Sequence, residues 1–186
     1  MTTEARPRSA ARRRLRRIGV AALGGLVVWV LLGLHFFVFP SVGALPEHAD
    51  VVLVLGPPVP ERVDVAERLL DEHRVDTALV SVPGGQWQWH VQGLCARSDV
   101  ICFAPDPSTT RGEARELRAE ATAHGWTSAI VTTMPAHISR ARTIVSRCFG
   151  GSLTMAPDAE QPFRGWAYQY LYQTAATVKA WLLQGC

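Results

Sequence analysis

The sequence predicts an α/β fold, built on a parallel sheet with helices on both faces and preceded by one N-terminal transmembrane helix. A single uncharged apolar segment lies near the N-terminus, and short aliphatic runs alternate with segments of helical periodicity after it. The runs show no alternation of polar and apolar residues, which indicates strands buried on both faces. Strand–helix alternation of this kind is typical of a parallel sheet covered by helices.

The transmembrane helix is predicted at residues 18–39, where the only ionisable side chain is His35. A helix of that length rises about 33 Å, close to the roughly 30 Å of a bilayer's hydrocarbon core. Residues 1–17 carry seven arginines and one glutamate, a net charge of +6. By the positive-inside rule this tail stays in the cytoplasm, and the chain after the span is exported.

The competing interpretation of residues 18–39 is a cleaved signal peptide, because small residues at 42–44 offer a cleavage site. We favour an anchor, since the 22 apolar residues exceed the roughly 7–15 of a signal sequence. The expected protein is therefore a single-pass protein of the plasma membrane, whose partner at residues 18–39 is the lipid bilayer.

Residues 40–49 are predicted to be a linker and residues 50–186 one extracytoplasmic domain, because a chain of 186 residues allows a single domain. From residue 40 onward, 12 basic residues stand against 15 acidic ones, a net charge of −3. A mixed, slightly acidic domain has no electrostatic footprint for DNA or RNA, so no nucleic-acid partner is expected.

The first strand of this domain is predicted at residues 51–55, an aliphatic run that ends at Gly56 and is followed by prolines. Residues 63–70 then repeat apolar side chains at helical spacing. Further strands are expected at residues 78–82, which Pro-Gly-Gly closes, and at 100–104, which two prolines follow.

The second half of the domain repeats the pattern. Helices are predicted at residues 111–124, 138–148 and 166–183, and strands at 129–133 and 153–156. Helical periodicity places one set of apolar residues of the last helix inward: Tyr168, Tyr172, Ala175, Val178 and Leu182.

Four cysteines, all after the apolar span, agree with export into an oxidising compartment: Cys95, Cys102, Cys148 and Cys186. They allow three pairings. The short separation of Cys95 from Cys102 favours a bridge between them, which leaves Cys148 for Cys186. No C-x-x-C motif and no zinc-like spacing occurs, so we expect structural disulfides and no metal site.

Ligands of parallel sheets bind beyond the carboxyl ends of the strands, and the loops there hold the candidate binding residues. After the first two strands these residues are Gly56, Arg62, Ser81, Gly84 and Gly85. The glycine spacing is not that of a Walker A or dinucleotide-binding loop, so no cofactor is predicted.

The loop at residues 108–113 contains Thr110 and Glu113 in capping-box spacing. Capping alone explains that pattern, although a helix N-terminus after a strand is also an anion site.

The fourth strand ends in Thr132 and Thr133, and His137 and Arg140 follow at a spacing that lets both face one ligand. Hydroxyls, a guanidinium and a helix N-terminus together favour a phosphate or carboxylate. The alternative for His137 is a half-buried histidine with a purely structural hydrogen bond.

These loops, in this order, resemble those of the YdcF-like family, which includes the SanA and ElyC envelope proteins. The resemblance covers residues 50–179, and its most specific part is Thr132-Thr133 followed by His137, Arg140 and Ala141. It implies a Rossmann-like fold, often membrane-anchored, with a polar pocket at the strand ends and a link to envelope biogenesis. Many relatives place a glutamate where this chain has Gln173.

We therefore expect a domain that binds an anionic, phosphate-bearing envelope metabolite, and we leave open whether it also transfers or hydrolyses a group on it. Arg62 and Arg140 would hold the anion, His137 would be the catalytic acid or base, and Glu113 its helper. The alternative is a non-catalytic scaffold or regulator that docks through Trp87 and Trp89. A nucleotide or S-adenosyl ligand, suggested by fold analogy alone, ranks below both.

Overall fold

The computed structural model describes residues 7–85, 91–158 and 165–186. Its first helix, α1 (Pro7–Gly33), continues as a π-helical turn at Leu34–Val38. Within this stretch the helix Ala11–Val38 is long and apolar enough to cross a membrane, with a mean hydropathy of 2.2 over 18 consecutive residues. Most of its side chains are exposed, which suggests that it anchors the chain in a lipid bilayer.

The strands and helices after α1 alternate along the chain, as predicted. The strands are β1 (Ala49–Val54), β2 (Val75–Ser81), β3 (Val100–Phe103), β4 (Ser128–Thr133) and β5 (Ser152–Pro157). The helices are α2 (Pro60–Asp71), α3 (Gln92–Cys95), α4 (Thr110–His124), α5 (Ile138–Val145) and α6 (Trp166–Leu182). Among the described residues, the short α3 and the 3₁₀ turns Pro83–Gly85 and Pro135–His137 fall where the sequence predicts no regular element.

The five strands form one sheet in the order β3-β2-β1-β4-β5, and every pairing is parallel. Leu53, at the centre of β1, lies between Leu79 and Val131 of the two neighbouring strands. The predicted α/β class is thereby confirmed. The strand order reverses between β1 and β4, and the carboxyl ends of the strands at such a reversal are where ligands of parallel sheets bind.

Two apolar layers cover the faces of the sheet. On one face, Val52 and Val80 pack against α2 through residues such as Leu69. On the other, Leu53 and Val131 pack against α4 and α5. Adjacent residues of a strand point to opposite faces, so the uninterrupted aliphatic run of β1 fills both layers.

The prediction for the buried face of the last helix is wrong. Its five expected inward residues are all exposed: Tyr168, Tyr172, Ala175, Val178 and Leu182. The buried residues of α6 are Gln173 and Ala180 instead. Helical periodicity identifies an apolar stripe but not its neighbour, and here the opposite side of the helix packs against α5.

Both predicted cysteine pairs lie at disulfide distance, with Cα atoms 5.7 Å apart for Cys95–Cys102 and 4.9 Å for Cys148–Cys186. The first bridge closes the loop between α3 and β3. The second ties Cys186, beyond α6, to the chain after α5. The predicted docking residues Trp87 and Trp89 lie outside the described residues.

Candidate functional site

The site lies at the carboxyl edge of the sheet, between β1 and β4. Gly56 follows β1, Ser81 ends β2 and Thr133 ends β4. The first turns of α4 and α5 stand over the same edge, because each follows the loop that leaves a strand. The structure thus brings the loops predicted from the sequence to the point where the strand order reverses.

Glu113 is buried in the first turn of α4, with 3% of its surface exposed. Its Oε1 atom accepts a hydrogen bond of 2.6 Å from the amide of Gly56. Burial raises the pKa of the Glu113 carboxyl, and Ser81, the Gly56 amide, Arg62 and Arg140 partly oppose that shift. A carboxyl whose pKa is raised by burial is suited to exchange a proton with a bound group.

The capping box predicted for Thr110 and Glu113 does not form, because the N-cap of α4 lies one residue earlier. Thr109, in extended conformation, is the N-cap, and its hydroxyl accepts a hydrogen bond of 3.4 Å from the Gly112 amide. A Cβ atom at Gly112 would lie 2.0 Å from the carbonyl oxygen of Pro107, so only glycine fits there. Thr110 and Glu113 therefore do not cap α4, and their side chains contact His137 and the Gly56 amide.

His137 is 7% exposed and lies between two threonine hydroxyls. Its Nδ1 atom is 3.0 Å from Thr133 Oγ1, and its Nε2 atom is 3.5 Å from Thr110 Oγ1. Burial, then the charges of Arg140 and Arg62, hold the pKa of His137 well below its usual value of 6.5. The imidazole is therefore neutral at physiological pH and turns Nε2 toward the N-terminus of α4.

Arg62 is buried, and each of its three guanidinium nitrogens contacts an acceptor of this chain. Its guanidinium contacts Asp158 Oδ2 through Nε at 2.9 Å and Nη2 at 2.8 Å. Nη1 donates to the carbonyls of Leu55 at 2.7 Å and Pro57 at 2.9 Å. These bonds connect the ends of β1 and β5, so Arg62 shapes the site while Asp158 balances its charge.

Arg140 is half-buried and differs from Arg62 in its partners. Its Nε donates to Gln173 Oε1 at 3.1 Å, and its guanidinium carbon lies 5.9 Å from the centre of the Tyr172 ring. Its two terminal nitrogens make no hydrogen bond to any residue that the structure describes. Burial lowers the pKa of Arg140, while Tyr172 and Glu113 oppose the shift. A guanidinium with both terminal nitrogens free can bind a phosphate by two parallel bonds.

Two hydroxyls complete the floor of the site. Thr132 Oγ1 is buried without a hydrogen-bond partner in the described parts of the chain. Ser81 Oγ makes no bond of ordinary geometry either, although it lies close enough to Glu113 to lower the pKa of that carboxyl. Gly84, at φ 76°, and Gly85 form the turn after β2, which leads toward the same edge.

Three site residues escape the sequence interpretation. Asp158 follows the carboxyl end of β5. Ligands of parallel sheets bind at such ends, so the rule that selects the other loops also selects this residue. Thr109 and Thr110 are neighbours of the same residue type, so the sequence does not show which of them takes the extended conformation of the N-cap. Gln173, which the sequence marks only as a departure from relatives, is fully buried and holds Arg140.

The charges of the site favour an anion over a metal ion. Arg62 is balanced by Asp158, the neutral His137 adds no charge, and burial favours the protonated form of Glu113. Arg140 is then the guanidinium of the site that no carboxylate among the described residues contacts. Within residues 7–85, 91–158 and 165–186, no group of three His, Cys, Asp or Glu side chains is arranged to hold a metal.

An open groove of about 410 Å³ lies at the opposite end of the domain. Residues after α4 and α5 line it, among them Trp126 and Phe149. None of the candidate residues contributes to this groove, so its size says nothing about the site.

Comparisons of the chain with protein-family models, with curated proteins and with solved structures find no match. The resemblance of its loops to the YdcF-like family stays a prediction from the residues. The geometry of the site is therefore the ground on which a function is proposed.

Proposed function

We propose that this is a single-pass protein of the cell envelope whose extracytoplasmic domain binds an anionic, phosphate-bearing metabolite at the carboxyl ends of β1 and β4. The observation that carries the proposal is Arg140, a half-buried guanidinium whose terminal nitrogens have no partner among the described residues. It stands beside the N-terminus of α4, where backbone amides and the helix dipole also attract anions. The envelope itself is proposed from the resemblance to YdcF-like proteins.

Orientation is part of the proposal. The seven arginines before residue 18 keep the N-terminus in the cytoplasm by the positive-inside rule. The two disulfides fit an oxidising compartment on the other side of the membrane.

The same residues support acid–base chemistry on the bound anion. The neutral imidazole of His137 can accept a proton, and Glu113, with its raised pKa, can donate one. We propose His137 and Glu113 as the pair that would move protons if a group is hydrolysed or transferred. Thr133 and the Gly56 amide position them.

Calorimetric titration of the full chain in detergent tests the binding site. The titrants are a nucleotide sugar and a short-chain polyprenyl phosphate. Loss of charge-assisted bonds worth about 1.5–3 kcal/mol predicts that Arg140→Ala binds roughly 10–100-fold more weakly than the parent. Arg118→Ala removes an exposed arginine of α4 and should bind like the parent. Equal affinity of the parent and Arg140→Ala would contradict the proposal.

His137→Asn separates chemistry from binding and from scaffolding. If the site is catalytic, this variant retains affinity and loses turnover of the bound compound. Loss of cellular function only on changing Trp87 and Trp89, with His137→Asn fully active, would instead favour the docking alternative.

A further inference from the structure

The apolar stripe of α6 points away from the domain. We call Tyr168, Leu171, Val178 and Leu182 the outward face; these side chains are 48–77% exposed. The helix carries one charged residue, Lys179, in its whole length. Contiguous apolar exposure of this kind marks an interaction surface.

The other side of α6 docks on the outer part of α1. The Trp29 indole donates to Thr174 Oγ1 at 3.2 Å, and the Tyr170 hydroxyl donates to the Val30 carbonyl. The Tyr170 ring also makes edge contacts with Trp29 and Phe37, at centroid distances of 5.3 and 5.6 Å.

The contact between α1 and α6 is so close that it requires glycine at position 33. A Cβ atom at Gly33 would lie 2.0 Å from the Tyr170 ring. Trp29, Gly33 and Phe37 recur every four residues and so form one side of α1 and of the π-helical turn that continues it. The rest of this part of α1 stays exposed, including Leu31, at 59%.

The length of the apolar helix fixes the depth in the bilayer at which α1 and α6 make contact. From Ile18, where the apolar segment begins, to Trp29 a helix rises only about 16 Å. To span a hydrocarbon core of roughly 30 Å, the helix must therefore also use the residues from Trp29 to Val38. These are the residues on which α6 docks, so the first turns of α6 lie at the depth of the adjoining leaflet.

We infer that the outward face of α6 lies in the lipid of the leaflet next to the domain, as a membrane-seated helix beside the anchor. The exposed surfaces of α1 and α6 are continuous across the Tyr170 contact, and both are apolar. Tyr168 is an aromatic residue with a polar tip, which the membrane interface favours. The long side chain of Lys179 can reach the headgroups while its stem stays apolar.

A charged residue, Arg142, lies near this surface at the level expected for lipid headgroups. Arg142 donates to the carbonyls of Ser41 and Val42, just beyond the outer end of α1. Ser139 donates to the Phe36 carbonyl. The start of α5 therefore lies at the level where lipid phosphates are found, and its arginine suits them.

Depth-resolved fluorescence quenching tests the inference on the full chain in vesicles of phosphatidylcholine and phosphatidylglycerol. A single thiol-reactive dye is placed at Leu171→Cys, under non-reducing conditions that keep the native cysteines paired. Ala123→Cys, exposed on α4, is the matched control, and Leu26→Cys, exposed on α1, reports the anchor itself.

The dye at position 171 should emit at shorter wavelength than the dye at 123. It should also be quenched by spin-labelled lipid and protected from iodide, with the reverse pattern at 123. Iodide quenching at 171 equal to that at 123, with lipid quenching kept at 26, would overturn the inference. Protection of 171 from both quenchers would also overturn it, since a protein would then cover the face. None of these outcomes depends on phosphate binding at Arg140.

Discussion

Glu113 Oε1 accepts a 2.6 Å hydrogen bond from the Gly56 amide, which joins the first turn of α4 to the end of β1. This bond crosses the point where the strand order reverses. A Cβ atom at Gly56 would lie 2.4 Å from the Pro83 ring, so a residue without a side chain is needed where the end of β1 passes the loop after β2. The carboxyl is thus both a structural bridge and a candidate proton donor.

Replacing Glu113 should separate these two roles. Glu113→Ala leaves the Gly56 amide without its acceptor and should lower the free energy of unfolding by about 1–3 kcal/mol. Glu113→Gln keeps an oxygen acceptor and should lose less than about 1 kcal/mol. Urea unfolding in mild detergent measures both. Equal destabilisation by the two variants would show that the hydrogen bond contributes nothing.

His137 should make the fold sensitive to mild acid. Its pKa in the folded protein lies well below the 6.5 of an ordinary histidine, so below about pH 6.5 the unfolded chain takes up a proton that the folded chain does not. Stability should then fall with pH, by up to about 1.4 kcal/mol per unit. The unfolding free energies at pH 7.5 and 5.5 measure this loss.

The variants His137→Gln and His124→Gln identify the group responsible. The first should reduce the loss of stability between the two pH values. The second changes an exposed histidine of α4 paired with Glu120 and should retain the parent's pH dependence. A parent-like pH dependence in His137→Gln would assign the effect to another group.

The buried pair of Arg62 and Asp158 should be costly to break. Arg62→Ala leaves the Asp158 carboxylate and the carbonyls of Leu55 and Pro57 without their donor, which predicts a loss of about 3–5 kcal/mol. Burial raises the pKa of Asp158 and Arg62 lowers it. The variant's loss should therefore shrink at low pH, where Asp158 can be protonated.

Arg97 is the matched control, since it also contacts carboxylates, those of Asp71 at 3.0 Å and Asp99 at 2.8 Å. These groups are much more exposed, and Arg97→Ala should cost less than about 1 kcal/mol. Similar losses for the two arginine variants would contradict the structural role of Arg62.

The two disulfides should differ in their contribution to stability. The bridge Cys148–Cys186 spans 38 residues and Cys95–Cys102 spans 7. Loop-closure entropy predicts that serine replacement costs about 4 kcal/mol for the first pair and about 2.5 for the second. Unfolding of the two double-serine variants measures the difference, and a larger loss at Cys95–Cys102 would contradict this order.

Strand positions follow from the sequence because each strand is buried on both faces. The run at residues 51–55 can satisfy its apolar side chains only inside a covered sheet. Once the strands are placed, the loops at their carboxyl ends converge, which is why Gly56, Thr133 and His137 are predictable together. Periodicity and strand geometry thus recover the fold, and they bring these candidate residues to one edge of the sheet.

Local patterns fail where a choice depends on a distant neighbour. Thr109 caps α4 instead of Thr110, and Glu113 bonds to the distant Gly56 amide and not to the amide of a cap residue. The stripe around Leu171 has the spacing of a core face, yet the domain packs on the opposite side of α6. Periodicity cannot distinguish a protein core from lipid, since both bury apolar side chains.

The position of β1 and β4 in the middle of the sheet also governs how the site moves. Both strands have a paired neighbour on each side and helices over both faces, so amides such as that of Val52 should exchange with solvent only when the whole domain unfolds. Gly56 and Thr133 lie at the ends of these slow-exchanging strands. Recognition at these strand ends is therefore expected to use a preformed shape, with little local rearrangement when a ligand arrives.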